Sequence, residues 1–218
     1  MSPPARLVVA TRNEHKLREL REILAGVELV ALDPEVELPP ETGATFTENA
    51  LIKARAARAA TGEAAIADDS GIAAAALDGA PGVRSARFAG PRASDEENLW
   101  LLIDSLAARR DRRVAYVCVI AHLDEAGAER TYEGRCEGTL IAEPRGSGGF
   151  GYDPAFVPLD TGPDDERTMA ELSAADKHAI SHRGRAAREL ARALGLDPGA
   201  GAPGSGHSGP PSGARGRR

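Results

Sequence analysis

The sequence predicts an α/β fold, and three observations carry that expectation. Leu7 to Ala10 is a short apolar run followed at once by a polar turn and an amphipathic stretch, the order strand, turn, helix. Three Ser/Thr-x-x-Glu patterns, beginning at Thr45, Ser94 and Thr168, mark helix starts between apolar segments. Val114 to Leu123 is β-branched and long enough to be a central strand.

Taken in order, the opening strand is followed by Thr11 or Asn13 as a cap and by Leu17, Leu20 and Leu24 at helical spacing before Gly26. Thr45-x-x-Glu48 starts a second helix that runs through NALIKARAARAA to about Thr61-Gly62. Ala64 to Ala67 reads as a short apolar strand ending at Asp68-Asp69-Ser70-Gly71. That ending places two acids at a strand end, where α/β sheets commonly put their chemistry. Ser94-x-x-Glu97 caps a helix with Leu99, Leu102, Ile103 and Leu106 as its apolar stripe. After Val114 to Leu123, Asp124 to Gly127 makes a hairpin turn and Arg130 to Glu137 returns. The glycines from Gly146 to Gly151 break regular structure. Thr168-x-x-Glu171 then precedes a last helix bearing Ile180, Ala187, Leu190 and Leu194. Residues 198–218 are rich in Gly, Pro and Ser, cannot build a core and are expected to be disordered; residues 1–197 are expected to form one domain.

The chain has 218 residues, 42% of them apolar, enough for one buried core. Its formal charge is −6, and the tail contributes three arginines and no acid, so the body is more acidic still. An acidic body argues against direct nucleic-acid binding by phosphate neutralisation. Small anionic substrates stay compatible with it where basic residues cluster or a metal ion intervenes. Cys118 and Cys136 stand without CxxC or HExxH patterns, which gives no support to a structural zinc or a disulfide framework. The first apolar run is too short for a signal peptide and no later one approaches a membrane span. A cytoplasmic protein with no membrane partner is expected.

Four segments carry residue types suited to a nucleotide and its metal. In Thr11-Arg12-Asn13-Glu14-His15-Lys16, a turn into a helix offers backbone donors and the positive end of the helix dipole. Thr11, Asn13 and Lys16 add side-chain donors for phosphate; a plain helix cap is the competing reading. The absence of GxxxxGK[ST] excludes a Walker-type loop. In the second segment Glu41 precedes a helix that presents Asn49 and Lys53 four residues apart on one face, where they could hold a metal-bound phosphate or simply be surface groups. The third, Ala67-Asp-Asp-Ser-Gly71, puts adjacent carboxylates after an apolar strand, an unfavourable place without a cation or hydrogen bonds. Magnesium, which takes a few carboxylates together with water and phosphate, suits Glu41 with these acids, and a simple turn is the alternative. In the fourth, Phe150 among glycines could lie against a base, with Asp153, Lys177, His182 and Arg183 reading its polar edge. The alternative has Phe150 and Tyr152 in the core.

Together, in order and spacing, these segments resemble the inosine triphosphate pyrophosphatase family, also described as Ham1-like or dITP/XTP pyrophosphatases, from Leu7 to about Leu196. TFTENALIKA, ADDSG with PGVRSARFAG, GGFGYDP and AELSAADKHAISHRG carry the resemblance. It implies an elongated mixed sheet with flanking helices, two lobes around a nucleotide-binding cleft, and a homodimer. It also implies Mg2+-dependent cleavage between the α and β phosphates of purine nucleoside triphosphates. By the same resemblance Thr11, Arg12, Asn13, Glu14, His15, Lys16 and Lys53 face phosphate, and Glu41 and Asp69 hold the metal. Asp69 further activates water, and Ser70 touches substrate. Phe150, Gly151, Tyr152, Asp153, Lys177, His182 and Arg183 surround the base. Three positions depart from the family pattern: Arg12 replaces a common glycine and would crowd or recharge the phosphate turn, Ala75 replaces a frequent acid, and Arg84 replaces an aromatic residue. A septum-inhibitor type pyrophosphatase and a nucleotide sensor without turnover are the competing functions.

Overall fold

Alternating apolar residues build the first strand, and the alternation decides which helix covers which side. The computed structural model describes residue 4 and residues 6–196; the tail at 198–218 lies outside the described residues. In β1 (Arg6–Val9), Leu7 and Val9 join one apolar cluster while Val8 and the following Ala10 join another. α1 (Glu14–Ile23) starts at Asn13, whose side chain accepts from the backbone N–H groups of His15 and Lys16. The short β2 (Glu28–Ala31) then pairs parallel to β1. α2 (Phe46–Thr61) begins with the Thr45/Glu48 capping box and ends at Gly62. α3 (Asp95–Leu106) opens with the Ser94/Glu97 box, both as the sequence indicates.

The six-stranded sheet has the order β2-β1-β3-β4-β5-β6. It is mixed: β2, β1 and β3 (Ala65–Ala74) run parallel, while β4 (Arg113–Leu123), β5 (Glu129–Leu140) and β6 (Phe156–Pro158) continue antiparallel. On one face Leu20 of α1 and Leu190 of α5 (His182–Ala193) pack over Leu7, Ile66 and Ile120. On the other, Ala50, Ala54 and Ala57 of α2 lie on Val8, Ala65 and Val119, small residues that allow helix and sheet to approach closely. Leu102 and Leu106 of α3 close the far end over Ile72, Val114 and Phe156.

Two expectations are corrected. The acids do not end a strand: β3 continues through Asp68, Asp69 and Ser70 to Ala74 because β4 supplies a partner for every residue from Ala65 to Ala74. Its other neighbour, β1, pairs only with Ala65 and Ile66, and the segment around Pro81 and Ser85 bonds to β3 only from Ile72 onward, so no strand pairs with the edge between them and a crevice opens beside Asp69. The last helix is also two helices, α4 (Ala174–Ile180) and α5, and the Thr168/Glu171 box caps only a single 3₁₀ turn, Met169–Glu171. Ser181 causes the break. Its backbone is extended, its N–H closes α4 on Lys177 O, and its side chain accepts from Gly184 N to begin α5.

The start of α5 rests directly on β5. A Cβ at Gly134 would stand 2.0 Å from His182 O and 2.5 Å from Ala186 N, so only glycine permits this approach. That contact sets His182 and Arg183 against the crevice.

Candidate functional site

Strand geometry separates the two acids. Neighbouring residues of β3 point to opposite faces, so Asp68 turns toward α1 and α5 and Asp69 toward α2. Asp68 is fully buried, with Lys16 Nζ 3.0 Å and Arg183 Nε 3.4 Å from its Oδ2. Burial opposes its ionised form, but Lys16, Arg183 and Lys53 outweigh burial and hold the carboxyl well below its usual range. Asp68 is therefore held ionised between two cations, Lys16 and Arg183.

Asp69 has a different setting. Its Oδ2 accepts from Asn49 Nδ2 at 3.1 Å, and Lys53 Nζ stands 3.7 Å from its Oδ1. Lys53 also reaches Glu41 Oε1 at 2.6 Å, with Arg87 Nη1 3.5 Å from Glu41 Oε2. Burial raises the Asp69 carboxyl above its usual value; Lys53 pulls it down and the nearby Glu41 pushes it up again. An acid so placed can take a proton from water near neutral pH more readily than a free carboxylate. The helical spacing of Asn49 and Lys53 thus delivers both to one acid.

Asp69 borders a cavity of about 520 Å³, and Asp68 lies behind its wall, fully buried. Thr11, Arg12, Asn13, His15, Lys16, Glu41, Lys53, Asp69, Ser70, Phe150, Gly151, Tyr152, Asp153, Lys177, His182 and Arg183 all line it. Glu14 does not; it is exposed in the first turn of α1, where an acid complements the helix dipole. The turn itself offers fewer free donors than the sequence suggested. Thr11 Oγ1 accepts from Asn13 N, and Asn13 Oδ1 accepts from His15 N and Lys16 N. Arg12 directs its guanidinium to the carbonyls of Leu32, Asp33, Pro34 and Val36, so its main contact is with the loop after β2. The departures at Ala75 and Arg84 are both exposed and disturb no packing.

At the other end of the cavity Phe150 is half-buried, stacked with His15 at 5.5 Å between centroids, with Lys177 Nζ 5.0 Å from its ring. Tyr152 goes to the core, as the alternative reading had it, with its hydroxyl donating to Ser85 O at 2.7 Å. Asp153 is an anchor: Oδ2 accepts from Lys177 Nζ at 2.8 Å and Phe150 N at 2.9 Å, and Oδ1 from the Tyr116 hydroxyl at 3.0 Å. Arg183 spends all three guanidinium nitrogens on protein, with Nε on Asp68, Nη1 on Glu19 and Nη2 on Ser70. Burial holds His182 neutral, with Arg183, Lys177 and Lys16 adding to the effect, and its Nδ1 has no protein partner among the described residues.

Sequence reasoning missed Glu19, Tyr116 and Arg87. Glu19 reads as a helix-surface charge, yet it is buried between Arg183 and Lys177. Tyr116 sits in an apolar strand with no motif around it. Arg87 lies within PGVRSAR, so the motif held the signal although the residue was not singled out.

Among the described residues no cluster of three His, Cys, Asp or Glu side chains could hold a metal ion by itself. Glu41 and Asp69 supply hard oxygen donors close enough for one to raise the other's proton affinity. That set fits Mg2+, which takes one or two carboxylates and completes its shell with water and phosphate.

Fold and crevice define an α/β protein with acids and lysines at one end of a cavity and an aromatic ring with cations at the other. The chain belongs to the Ham1 family, whose profile matches residues 7–193. It is similar to the dITP/XTP pyrophosphatase of Frankia alni, with 53% identity over 201 residues, covering 87% of this chain and 96% of that protein. The dITP/XTP pyrophosphatase of Symbiobacterium thermophilum is 51% identical over 193 residues, covering 87% and 93%. A HAM1 protein from Coxiella burnetii superposes with a TM-score of 0.80 at 42% identity, covering 87% of this chain and 98% of that one.

Proposed function

We propose that this chain is a dITP/XTP pyrophosphatase: it hydrolyses deaminated purine nucleoside triphosphates to the monophosphate and pyrophosphate, and so clears them before they enter DNA or RNA. The observation that carries this reading is the polarity of the cavity, acids and lysines around Asp69 at one end and Phe150 with Lys177 and His182 at the other.

Lys16 and Lys53 neutralise triphosphate charge from the two faces of β3, each held in place by a buried acid. A magnesium ion bound by Glu41, Asp69 and the phosphates would supply further charge neutralisation. Asp69 orients a water and accepts its proton as the water oxygen bonds to the α phosphorus and the bond from that phosphorus to the bridging oxygen breaks, the bridging oxygen leaving with pyrophosphate. Phe150 stacks on the base. Lys177 and the neutral His182 face its edge, where a 6-oxo purine presents an acceptor and adenine an amino donor. An adenine there leaves a buried donor unpaired at about 1–3 kcal/mol. Ser70, held by Arg183, contributes its hydroxyl to the cavity wall. The same reading takes the protein as a cytoplasmic homodimer, the latter tested by sedimentation.

Product analysis tests the reaction. Incubation of ITP with the protein and Mg2+ should yield IMP and pyrophosphate; IDP and orthophosphate would place the cut at the wrong bridge and overturn the reading.

A further inference from the structure

Tyr116 lies in the middle of β4, opposite Ile72 on one side and Cys136 on the other, and at 7% exposure its side chain still reaches the cavity wall. No reactive pattern surrounds it in the sequence. Its contacts, however, lie among the groups assigned to the base. The hydroxyl donates to Asp153 Oδ1 at 3.0 Å, and the ring stacks on His182 with centroids 4.7 Å apart and planes 11° from parallel. Phe156 stacks on it too, at 4.5 Å, so the ring is restrained by more than one neighbour.

Asp153 has two oxygens and three donors. Oδ2 takes both the Lys177 ammonium and the Phe150 N–H, while Oδ1 takes only the Tyr116 hydroxyl. The hydroxyl therefore decides which oxygen faces the cation. Without it, Oδ1 would be buried with no donor, and the carboxylate could turn to share its oxygens differently between Lys177 and the Phe150 loop. Lys177 then loses a fixed position over the Phe150 ring, from which its nitrogen is 5.0 Å away. The hydroxyl stays a donor throughout the working pH range, because burial and the Asp153 charge push its pKa well above the usual phenol value.

We propose that Tyr116 is a positioning residue for the base end of the cavity, acting through Asp153 on Lys177 and Phe150 and through ring stacking on His182. It ties a loop, α4 and α5 to the rigid centre of the sheet, the support that a precise polar site requires. The proposal rests on the nucleotide reading given above, and it adds a specificity determinant that touches no substrate. A tyrosine that merely fills the core would affect stability and leave recognition alone.

Tyr116→Phe removes only the hydroxyl and keeps both ring stacks. The expected result is a KM for ITP about ten-fold higher, kcat within about three-fold, and the preference for ITP over ATP narrowed by about the same ten-fold. Competitive inhibition by inorganic pyrophosphate, which probes the phosphate end alone, should shift less than two-fold. In an Asp153→Asn background the same substitution should add less than a two-fold change in KM, because its effect passes through that carboxylate. An unchanged KM and preference in Tyr116→Phe, or a full additional penalty in the double variant, would overturn the proposal. Equal weakening of ITP and pyrophosphate would also overturn it, since that pattern marks a general loosening. A wild-type protein that leaves ITP intact would instead remove the nucleotide reading, and this proposal with it.

Discussion

The carboxamide of Asn49 donates to Oδ2 of Asp69 at 3.1 Å. The other oxygen accepts from Ser70 N at 3.1 Å, so both oxygens of the acid are oriented. Asp69→Asn keeps the shape but gives up the charge and the basic oxygen. Turnover of ITP should fall on the order of 10³-fold, within the span of general-base removal, while the melting temperature changes little. Steady-state rates and a thermal melt check both parts; a variant near wild-type rate would take Asp69 out of the reaction.

Arg183 is anchored between Asp68 and Glu19, each buried. Arg183→Ala leaves two carboxylates in the interior without their shared partner. The expected cost is about 3–5 kcal/mol of stability, larger than any selectivity effect, because removing one member strands the others. Urea unfolding measures it. Full stability with altered base preference would mean that Arg183 serves the base directly and the anchor is secondary.

Gly134→Ala places a methyl group 2.0 Å from His182 O and 2.5 Å from Ala186 N, so α5 must lift from β5. Overpacking of this kind costs about 1–3 kcal/mol or more, and the shift also moves His182 and Arg183. A drop in melting temperature together with a raised KM for ITP is expected. An unchanged KM would show that the start of α5 does not set the pocket.

Burial holds both His122 and His182 below the ordinary imidazole value. Below about pH 6.5 the unfolded chain binds protons that these folded residues refuse, so stability should fall as pH drops from there toward 5. The depressed carboxyls of Glu19 and Asp68 contribute stability above the ordinary acid range and lose it only at lower pH. His122→Gln should flatten the upper part of the curve, read from urea midpoints at pH 7 and 5. An identical slope in the variant would show that His122 takes up its proton in the fold.

Much of this arrangement is legible in residue order. Thr45 with Glu48 and Ser94 with Glu97 specify their helix starts through local hydrogen bonds, so local pattern suffices. The course of β3 through Asp68 and Asp69 is not local: a pair of acids before Ser-Gly reads as a turn, and only ten partners in β4 override that preference. Ile180, Ala187, Leu190 and Leu194 read as one apolar series, yet Ile180 packs with a different cluster from the other three, and an extended serine between the two helices leaves no mark in that spacing. Glu19 and Tyr116 enter the site only through contacts more than thirty residues away, with Arg183 and Asp153 respectively. Spacing along the chain carries no trace of either.

The most direct test of the central claim is pyrophosphate release from dITP, XTP, dGTP, dATP and dTTP at equal concentration with Mg2+, at neutral to alkaline pH. The account predicts fast release from dITP and XTP and slow release from the other three. Release led by dTTP would point to the septum-inhibitor type, and tight binding of dITP without product would make the protein a sensor; either result would contradict it.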